Sequence, residues 1–318
     1  MKKVLVTLPV QEKHREQILS AAEGLEVKFV SAGEVTEEQV AAANVILGNV
    51  PADRICASPK LDLLQLGSAG ADPYIVPGVL SDRTVLCNAT GAYGKAVSEH
   101  AFALTLMLIK NLHLYRSAQT RSNWTDYGTV GTLDGATVLI VGLGDIGLSY
   151  ARLVRSMGAY VIGVKRRGGS CPEGVDELVQ TDSIDEVLPR ADVIMSILPG
   201  TKETKYFYSA ERFHLMKNSA LFVNCGRGNA VQSEVLLQAL RNGEIAAAAV
   251  DVTETEPLPP DSPLWREEKL VITPHVAGNY HLPDILDRAV DIACENLRRY
   301  RAGEEAMNIV DFSTGYKR

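Results

Sequence analysis

Short apolar runs alternate with amphipathic segments along the first third of the chain. Apolar runs bounded by polar residues predict buried strands, and a period near 3.6 residues predicts helices between them. The predicted strands are Lys3 to Leu8, Glu26 to Val30, Val45 to Gly48, Leu63 to Gly67 and Val85 to Asn88, and the helices lie near Gln11 to Ala22 and Thr36 to Ala43. Strands that alternate with helices in this way predict a parallel sheet covered by helices.

A second series of the same kind starts at Thr137, after one long predicted helix from Ala96 to about Gln119 and a glycine-containing loop. About six strands are predicted, at Thr137 to Val141, Tyr160 to Val164, Val193 to Leu198, Ala220 to Cys225, Ala246 to Val252 and Leu270 to Thr273. Helices are predicted to start near Ile146, Ile184, Ser209 and Ser233. About six strands is the number in a complete dinucleotide-binding fold.

A last helix, Asp284 to Tyr300, has no sheet of its own, so we expect it to pack on the first domain. The sequence therefore predicts a dinucleotide-binding domain, residues 96–283, inserted into a substrate domain that comprises residues 1–95 and 284–318. A length of 318 residues with 46% apolar residues is ordinary for two globular domains.

Charge and cysteine content exclude several classes of protein. A net charge of -7 without a basic stripe argues against a nucleic acid or an anionic membrane surface as a partner. The five cysteines are scattered without a CxxC pair, which is typical of unpaired thiols in a reducing cytoplasm, and we expect no metal site. The longest apolar run, Ala101 to Ile109, is about half of what a membrane span needs, and the N-terminus has no signal-peptide pattern. We expect a cytoplasmic protein.

The strand predicted at Thr137 leads into the glycine pattern Gly142-Leu143-Gly144-Asp145-Ile146-Gly147. Alone, G-x-G-x-x-G is a weak signal, but here it stands between an all-apolar strand and a helix, as dinucleotide binding requires. The first glycine permits a tight turn, the second lets the backbone approach a pyrophosphate, and the third allows close packing of helix on strand. The N-terminus of the helix would hold the anion.

Three cations, Lys165, Arg166 and Arg167, stand at the end of the next strand, where an acidic residue is usual. An acid there binds the ribose hydroxyls of NAD and repels a 2′-phosphate, whereas cations attract the phosphate. NADP(H) is therefore favoured as the cofactor. NAD(H) is the alternative, because charge clusters at strand ends are often only solvated.

Arg227, Glu256 and His275 each follow a different predicted strand. Ligands bind at the carboxyl edge of open parallel sheets, so these side chains can converge on one crevice. A guanidinium can grip carboxylate and carbonyl oxygens, an imidazole can exchange a hydroxyl proton, and a carboxylate can orient the imidazole. With a nicotinamide cofactor, the set predicts hydride transfer at C2 of a small 2-hydroxy or 2-keto acid.

Four segments resemble, in order and spacing, the D-isomer-specific 2-hydroxyacid dehydrogenase family over essentially the whole chain: Gly142 to Gly147, Asn224 to Gly228, Asp251 to Pro257 and Thr273 to Gly278. The resemblance implies two doubly wound α/β domains, a Rossmann domain inserted into a flavodoxin-like domain, with the active site in the cleft between them. It implies homodimers formed through the dinucleotide-binding domains. It also implies His275 as general acid and base, Glu256 as its partner, and Arg227 as the ligand of the substrate.

The same resemblance implies further site residues. The loop from Leu66 to Asp72 is similar to the family loop that binds the substrate carboxylate, here through Ser68, Ala69 and Gly70. The cofactor site would comprise Gly142, Gly144, Asp145, Ile146, Gly147, Lys165, Arg166, Arg167, Leu198, Pro199, Thr204, Cys225, Gly226, Asp251 and Gly278. The cations from Lys165 onward resemble those of the NADP-preferring glyoxylate and hydroxypyruvate reductase branch.

Some residues near these motifs have no assigned role. The segment Asn88 to Gly94 differs from the usual family sequence, and Tyr93 could line the substrate pocket or simply pack. His100 is expected on the structural face of the long helix, and His281 on the rim of the active-site loop. The sequence identifies no partner for either histidine.

The expected reaction is reduction of a 2-keto acid of the glyoxylate or hydroxypyruvate type to the 2-hydroxy acid, with D stereospecificity where the product is chiral. Protonated His275 would deliver a proton to the forming alkoxide, and Arg227 would polarise the carbonyl. The alternative is a non-catalytic, nucleotide-sensing protein resembling the C-terminal-binding corepressors, which have the same three residues. Formate dehydrogenase is disfavoured, because that branch has glutamine where Glu256 stands.

Overall fold

The chain divides into two compact units. The computed structural model describes residues 1–55, 58–166, 168–312 and 315. The first unit comprises residues 1–93 and 280–318, and the second comprises residues 94–279. The chain therefore crosses between the units after residues 93 and 279, where the sequence predicted crossings after 95 and 283.

A parallel sheet forms the centre of the first unit. The described residues place five strands there: β1 (Lys3–Val6), β2 (Glu26–Phe29), β3 (Val45–Leu47), β4 (Leu63–Gln65) and β5 (Val85–Cys87). Helices α1 (Glu12–Ala21), α2 (Glu37–Ala42) and α3 (Ala52–Ile55) join the first four strands. The order β2-β1-β3-β4-β5, parallel throughout, is that of flavodoxin-like folds. The strand at Val45 ends before Gly48, whose φ of 120° is outside the strand region.

The second unit begins with two helices, α4 (Gly94–Ile109) and α5 (Leu112–Thr120). Within residues 94–166 and 168–279, seven strands follow: β6 (Thr137–Val141), β7 (Tyr160–Lys165), β8 (Glu177–Gln180), β9 (Val193–Ser196), β10 (Leu221–Asn224), β11 (Ala247–Val250) and β12 (Leu270–Ile272). The helices between them are α6 (Asp145–Ser156), α7 (Ile184–Val187), α8 (Ala210–Leu215) and α9 (Ser233–Asn242). The parallel order β12-β11-β10-β9-β6-β7-β8 contains the Rossmann order, with β12 added at one edge.

Two predictions about the second unit were wrong. The sequence predicted about six strands and missed β8, because this four-residue edge strand is half exposed and has only a weak apolar pattern. The single long helix predicted from Ala96 to Gln119 is interrupted between α4 and α5. Asn111 there has a φ of 54°, a left-handed conformation that asparagine tolerates and that a continuous helix does not allow.

The last helix, α10 (Pro283–Ala302), packs against α1 in the first unit. Side chains of β1 alternate between two apolar layers, as the period of a strand requires. Val4 and Val6 pack with Val290 of α10, whereas Leu5 packs with Ile55 on the other face. Helices thus cover both faces of the sheet. None of the helices in the described chain combines the length and apolar character that a membrane crossing needs.

Candidate active site

The loop after β6 has the shape that a dinucleotide site requires. Gly142 has a φ of 107°, and a Cβ at this position would lie 2.6 Å from the carbonyl oxygen of Ile197. A Cβ at Gly147 would lie 2.0 Å from the carbonyl oxygen of Gly142, because α6 packs directly on the loop. A Cβ at Gly144, however, would meet no atom of the described residues within 4 Å. The open space at the N-terminus of α6 therefore fits a pyrophosphate.

Asp145 and Ile146 are the first two residues of α6 and directly follow Gly144 of this loop. The Asp145 side chain turns toward the start of α4, where a Cβ at Gly94 would lie 2.6 Å from Oδ1. Asp145 Oδ2 is buried and has no hydrogen-bond partner among the described residues. An acidic side chain beside two helix N-termini is favoured by both helix dipoles. The first residues of α6 therefore present backbone N–H groups to the open space, and the Asp145 side chain does not point there.

The cations after β7 lie at the same edge of the sheet. Lys165 is the last residue of β7 and is half buried, and Arg166 is exposed. Hydrogen bonds from its own backbone and from Thr201 lower the pKa of Glu203, and the charge of Arg166 contributes to this lowering. Arg166 therefore lies close to Glu203. Arg167 lies outside the described residues.

Asn224 shapes the loop after β10. Its buried side chain accepts a hydrogen bond from the amide of Gly226 at 3.1 Å and donates one to the carbonyl of Arg227 at 3.0 Å. Cys225 is buried in this loop, and burial raises the pKa of its thiol, so the thiol stays neutral. Arg227 is half buried, and its Nη1 donates to the carbonyl of Gly226 at 2.9 Å.

The loop after β9 packs directly on the loop after β10. A Cβ at Gly226 would lie 2.6 Å from the amide nitrogen of Leu198, which is itself buried. Thr204 Oγ1 donates to the carbonyl of Pro199 at 2.5 Å and accepts from the amide of Thr201 at 2.9 Å. The Thr204 hydroxyl therefore holds the Leu198-Pro199 turn in place.

Glu256 and His275 form a direct pair. His275 Nδ1 lies 2.7 Å from Glu256 Oε2, and the other carboxylate oxygen of Glu256 accepts from the amide of Thr253 at 3.0 Å. Strands β10, β11 and β12 are neighbours and parallel, so the loops bearing Arg227, Glu256 and His275 leave the same edge of the sheet. Neighbouring strands lie about 4.8 Å apart, which places the three loops within reach of one small molecule.

A buried carboxylate holds the backbone around His275. His275 has a φ of 53°, and its amide donates to the carbonyl of Asp251 at 2.7 Å. The Asp251 carboxylate, 2% exposed as a residue, accepts from the amides of Val276 at 3.0 Å and Ala277 at 3.1 Å. Gly278 completes the turn that follows and is half buried. Asp251 thus fixes the loop that carries the imidazole.

In the first unit, four consecutive carbonyl groups after β4 are engaged within that unit. The donors are the phenols of Tyr93 and Tyr280 (3.0 Å) to Gly67, the amide of Ala89 to Ser68 (2.9 Å), the side-chain amide of Asn88 to Ala69 (2.8 Å) and the Ser68 hydroxyl to Gly70 (2.7 Å). Within the described residues, the amides of Ala69 and Gly70 donate to no acceptor. A loop in this state can bind an anion through its backbone.

Tyr93 and Tyr280 are residues whose role the sequence did not settle. Tyr93 is 8% exposed, and its phenol donates to the Gly67 carbonyl, so it packs and holds the loop. Burial raises the pKa of both phenols, which keeps them protonated as donors. No motif predicted Tyr280, because its contact with Gly67 joins positions far apart in the chain.

His100 also has partners that the sequence did not identify. His100 Nε2 lies 3.1 Å from Thr273 Oγ1 and 3.6 Å from Asp251 Oδ1. The only sequence signal is helical spacing, which places His100 beside Ala101 and four residues before Leu104, both of which are buried. His281 is exposed.

Known proteins resemble this chain in both sequence and structure. Residues 102–277 match the model of a family described as D-isomer specific 2-hydroxyacid dehydrogenase, NAD binding domain. A protein named glyoxylate reductase from Thermofilum pendens is 30% identical over 267 residues, which is 82% of this chain and 78% of that protein.

Two crystal structures align with nearly the whole chain. A D-isomer specific 2-hydroxyacid dehydrogenase from Xanthobacter autotrophicus Py2, in complex with NADPH and MES, has a TM-score of 0.84 and 28% identity and covers 99% of each chain. An NADPH-dependent glyoxylate/hydroxypyruvate reductase from Sinorhizobium meliloti, in complex with NADP and sulfate, has a TM-score of 0.83 and 26% identity. This second match covers 99% of the present chain and 100% of the other.

Proposed function

Because the chain belongs to the D-isomer specific 2-hydroxyacid dehydrogenase family, we propose that it reduces a small 2-keto acid of the glyoxylate or hydroxypyruvate type with NADPH. It is an NAD(P)-dependent oxidoreductase that moves a hydride between a nicotinamide and C2 of a 2-hydroxy or 2-keto acid. The pairing of His275 with Glu256 at 2.7 Å, at the end of the strand beside β11, carries the proposal. The alternative, a non-catalytic nucleotide sensor, is not favoured, because glyoxylate reductases are among the relatives.

The three charged side chains divide the work of reduction. When bound, the nicotinamide supplies the hydride to C2. Nδ1 of His275 faces Glu256, so Nε2 is the nitrogen that can give a proton to the substrate oxygen. Arg227 binds the carboxylate and carbonyl oxygens in a fork and neutralises the negative charge that develops on the carbonyl oxygen. In the reverse reaction, neutral His275 accepts the hydroxyl proton.

The cofactor is NADP(H) in preference to NAD(H). Support comes from Lys165 and Arg166 at the end of β7 and from the NADP and NADPH complexes of the two structural relatives. Arg167 is the third residue assigned to the 2′-phosphate. The remaining cofactor contacts are assigned to the backbone and side chains of Gly142, Gly144, Asp145, Ile146, Gly147, Leu198, Pro199, Thr204, Cys225, Gly226, Asp251 and Gly278.

Ser68, Ala69 and Gly70 are assigned to the substrate carboxylate. The support is the loop geometry, in which the carbonyls are engaged inside the first unit and the amides of Ala69 and Gly70 have no acceptor among the described residues. Backbone amides bind a carboxylate without demanding a particular side chain on the substrate. Selectivity among 2-keto acids therefore depends on other side chains.

Steady-state rates test cofactor, reaction and substrate together. We expect turnover of glyoxylate or hydroxypyruvate with NADPH, weaker turnover with NADH, and none with acetaldehyde, which lacks the carboxylate. Raising the pH should slow reduction and accelerate oxidation of the hydroxy acid, because His275 must be protonated for one direction and neutral for the other. Flat and identical pH profiles, or binding of NADPH without turnover of any 2-keto acid, would contradict the proposal.

The assembly is a homodimer formed through the second unit. Support comes from exposed apolar side chains between α5 and β6, where Trp124 is 103% exposed and Val130 is 44% exposed, together with Leu112 at 51%. We expect sedimentation to give a dimer, and Trp124→Ser to weaken it, while Trp265→Ser, at another exposed tryptophan, leaves it unchanged. A monomer in the unsubstituted protein would refute this assignment.

The compartment is the cytoplasm. Cys87, Cys171, Cys225 and Cys294 are free thiols in the structure, as a reducing compartment favours. Burial raises the pKa of Cys87 to about 12 and that of Cys294 to about 11, so these thiols are poorly reactive.

A further inference from the structure

A chain of hydrogen bonds leads from helix α4 to the loop that carries His275. Thr273 Oγ1 lies 2.6 Å from Asp251 Oδ1 and 3.1 Å from His100 Nε2. An ionised carboxylate only accepts hydrogen bonds, so the single proton of the Thr273 hydroxyl goes to Asp251. His100 Nε2 must then be the donor to Thr273. The direction of every bond in the chain is thereby determined.

The chain of hydrogen bonds ends on the backbone of the loop that carries His275. Asp251 accepts from Thr273 and also from the amides of Val276 and Ala277, the two residues that follow His275. His275 itself has a φ of 53°, which a non-glycine residue adopts only when its surroundings hold it there. The carboxylate of Asp251 therefore stabilises this conformation of His275, and His100 orients the carboxylate through Thr273.

His100 is suited to this role by its position. Its side chain is 25% exposed, whereas that of Asp251 is 2% exposed, so the imidazole lies between solvent and a buried negative charge. Its Nε2 is 3.6 Å from Asp251 Oδ1, close enough to stabilise that charge directly. His100 is on α4 and Thr273 follows β12, so the contact also joins two elements distant in sequence.

We propose that His100 is a positioning residue for the catalytic imidazole, acting through Thr273 and Asp251. The inference rests on the proposed function, because it assigns a purpose to His100 only if His275 transfers the proton. Loss of the His100 donor lets Thr273 and Asp251 reorient, and the His275 loop then samples conformations in which the imidazole is misplaced. The proton transfer slows, and the dissociation constant of NADPH changes less than kcat does, because Asp251 is only one of the residues assigned to the cofactor.

The test compares His100→Ala, His100→Gln and the control His214→Ala, which removes an exposed histidine from α8. Residues that hydrogen-bond to a metal-ligating histidine and orient it contribute about 10-fold or more to activity, and we expect an effect of the same size for a residue that orients the loop of His275. We expect His100→Ala to lower kcat about 10-fold. The NADPH dissociation constant, measured by fluorescence, should change by a smaller factor, because Asp251 is only one of the residues assigned to the cofactor. His100→Gln places an amide donor near the position of Nε2 and should recover most of the rate. His214→Ala should have no effect.

A double-mutant cycle with Thr273→Val distinguishes positioning from general destabilisation. If both residues act through one chain, His100→Ala combined with Thr273→Val lowers kcat no further than the more damaging single change. Additive losses, or a fall in Tm with kcat of the folded enzyme unchanged, overturn the inference. So does full turnover of His100→Ala. Full turnover of His275→Ala would instead overturn the proposed function, so the two failures are distinguishable.

Discussion

The carboxyl edges of the two sheets offer different groups to a ligand: charged side chains in the second unit and backbone amides in the first. In the second unit, this edge carries charged side chains, Arg227, Glu256 and His275, on loops after neighbouring strands. In the first unit, the loop Ser68 to Gly70 after β4 has only one polar side chain, and that hydroxyl is engaged with the Gly70 carbonyl. The edge of the second unit's sheet can therefore exchange protons with a ligand, whereas the loop of the first unit can only bind one.

The buried anchors of the two loops explain the difference. Asp251 is an acceptor, so it engages the backbone amides of Val276 and Ala277 and leaves a side chain, His275, to present. Asn88 is a donor to the Ala69 carbonyl and leaves backbone amides available. In these two loops, a buried acceptor engages backbone amides, whereas a buried donor engages a backbone carbonyl and leaves the amides available.

The largest effect is expected from His275→Ala, which removes the proposed proton donor at the carboxyl edge of the second unit's sheet. We expect kcat to fall about 10²-fold or more, because general acid and base groups contribute that much, and the NADPH dissociation constant to stay unchanged. Stopped-flow single turnover and fluorescence titration separate the two quantities. Glu256→Gln should lower kcat less, since the imidazole survives; unchanged kcat in His275→Ala would remove this residue from the mechanism.

Arg166→Ala tests the proposed 2′-phosphate contact at the carboxyl edge of the second unit's sheet. Loss of one charge-assisted contact to a 2′-phosphate should raise KM for NADPH about 10-fold, since such bonds contribute about 1.5 kcal/mol or more. KM for NADH should not rise, because NADH has no phosphate there. Lys202→Ala, which removes another cation near Glu203, is the matched control. Equal changes in both KM values would contradict the assignment.

For the loop Ser68 to Gly70 of the first unit, removing the buried side chain that holds the loop should affect KM for the keto acid more than changing a side chain of the loop itself. Asn88→Ala removes the donor to the Ala69 carbonyl and should raise KM for the keto acid about fivefold, the effect of about 1 kcal/mol for one hydrogen bond. Ala69→Ser preserves the amide and should change KM little. If Ala69→Ser is the more harmful change, the loop does not bind through its backbone.

The smallest effect is expected away from both edges, at Asp287 on α10. Hydrogen bonds from Lys13, at 2.6 Å, and His14, at 2.7 Å, lower the pKa of this carboxyl. A lowered folded-state pKa stabilises the fold above the unfolded pKa of about 3.9, and this contribution is lost as the pH falls through the folded value. Asp287→Asn should therefore lower Tm at pH 7 by at most about 2 °C, because exposed ion pairs stabilise weakly.

The same substitution should leave kcat and both KM values unchanged, since Asp287 lies on the α1–α10 contact. The difference in Tm between Asp287→Asn and the unsubstituted protein should shrink as the pH falls below about 3.9 and vanish at a pH below the lowered folded pKa of Asp287, where both side chains are uncharged. A difference that persists at this pH would show that packing, not charge, is responsible.

Local patterns predicted the elements that have a strong hydrophobic periodicity or that are bounded by turn-forming residues such as glycine. The glycines from Gly142 to Gly147 directly follow β6, and Arg227, Glu256 and His275 each lie within six residues of the end of a strand, so motif and element are visible together. Strand β8 was missed because a half-exposed edge strand has little apolar signal. The break at Asn111 was missed because a single left-handed residue leaves the helical pattern on either side intact.

Sequence alone determined the class of fold, the family and the charged residues of the proposed site, because these depend on short-range order along the chain. Only the tertiary structure decided how those residues are held. The bonds of His100 to Thr273, of Asp251 to the loop after His275 and of Tyr280 to Gly67 join distant positions. Such contacts leave no local periodicity, because hydrogen-bond partners are chosen by the packing of strands and helices and not by spacing in the chain.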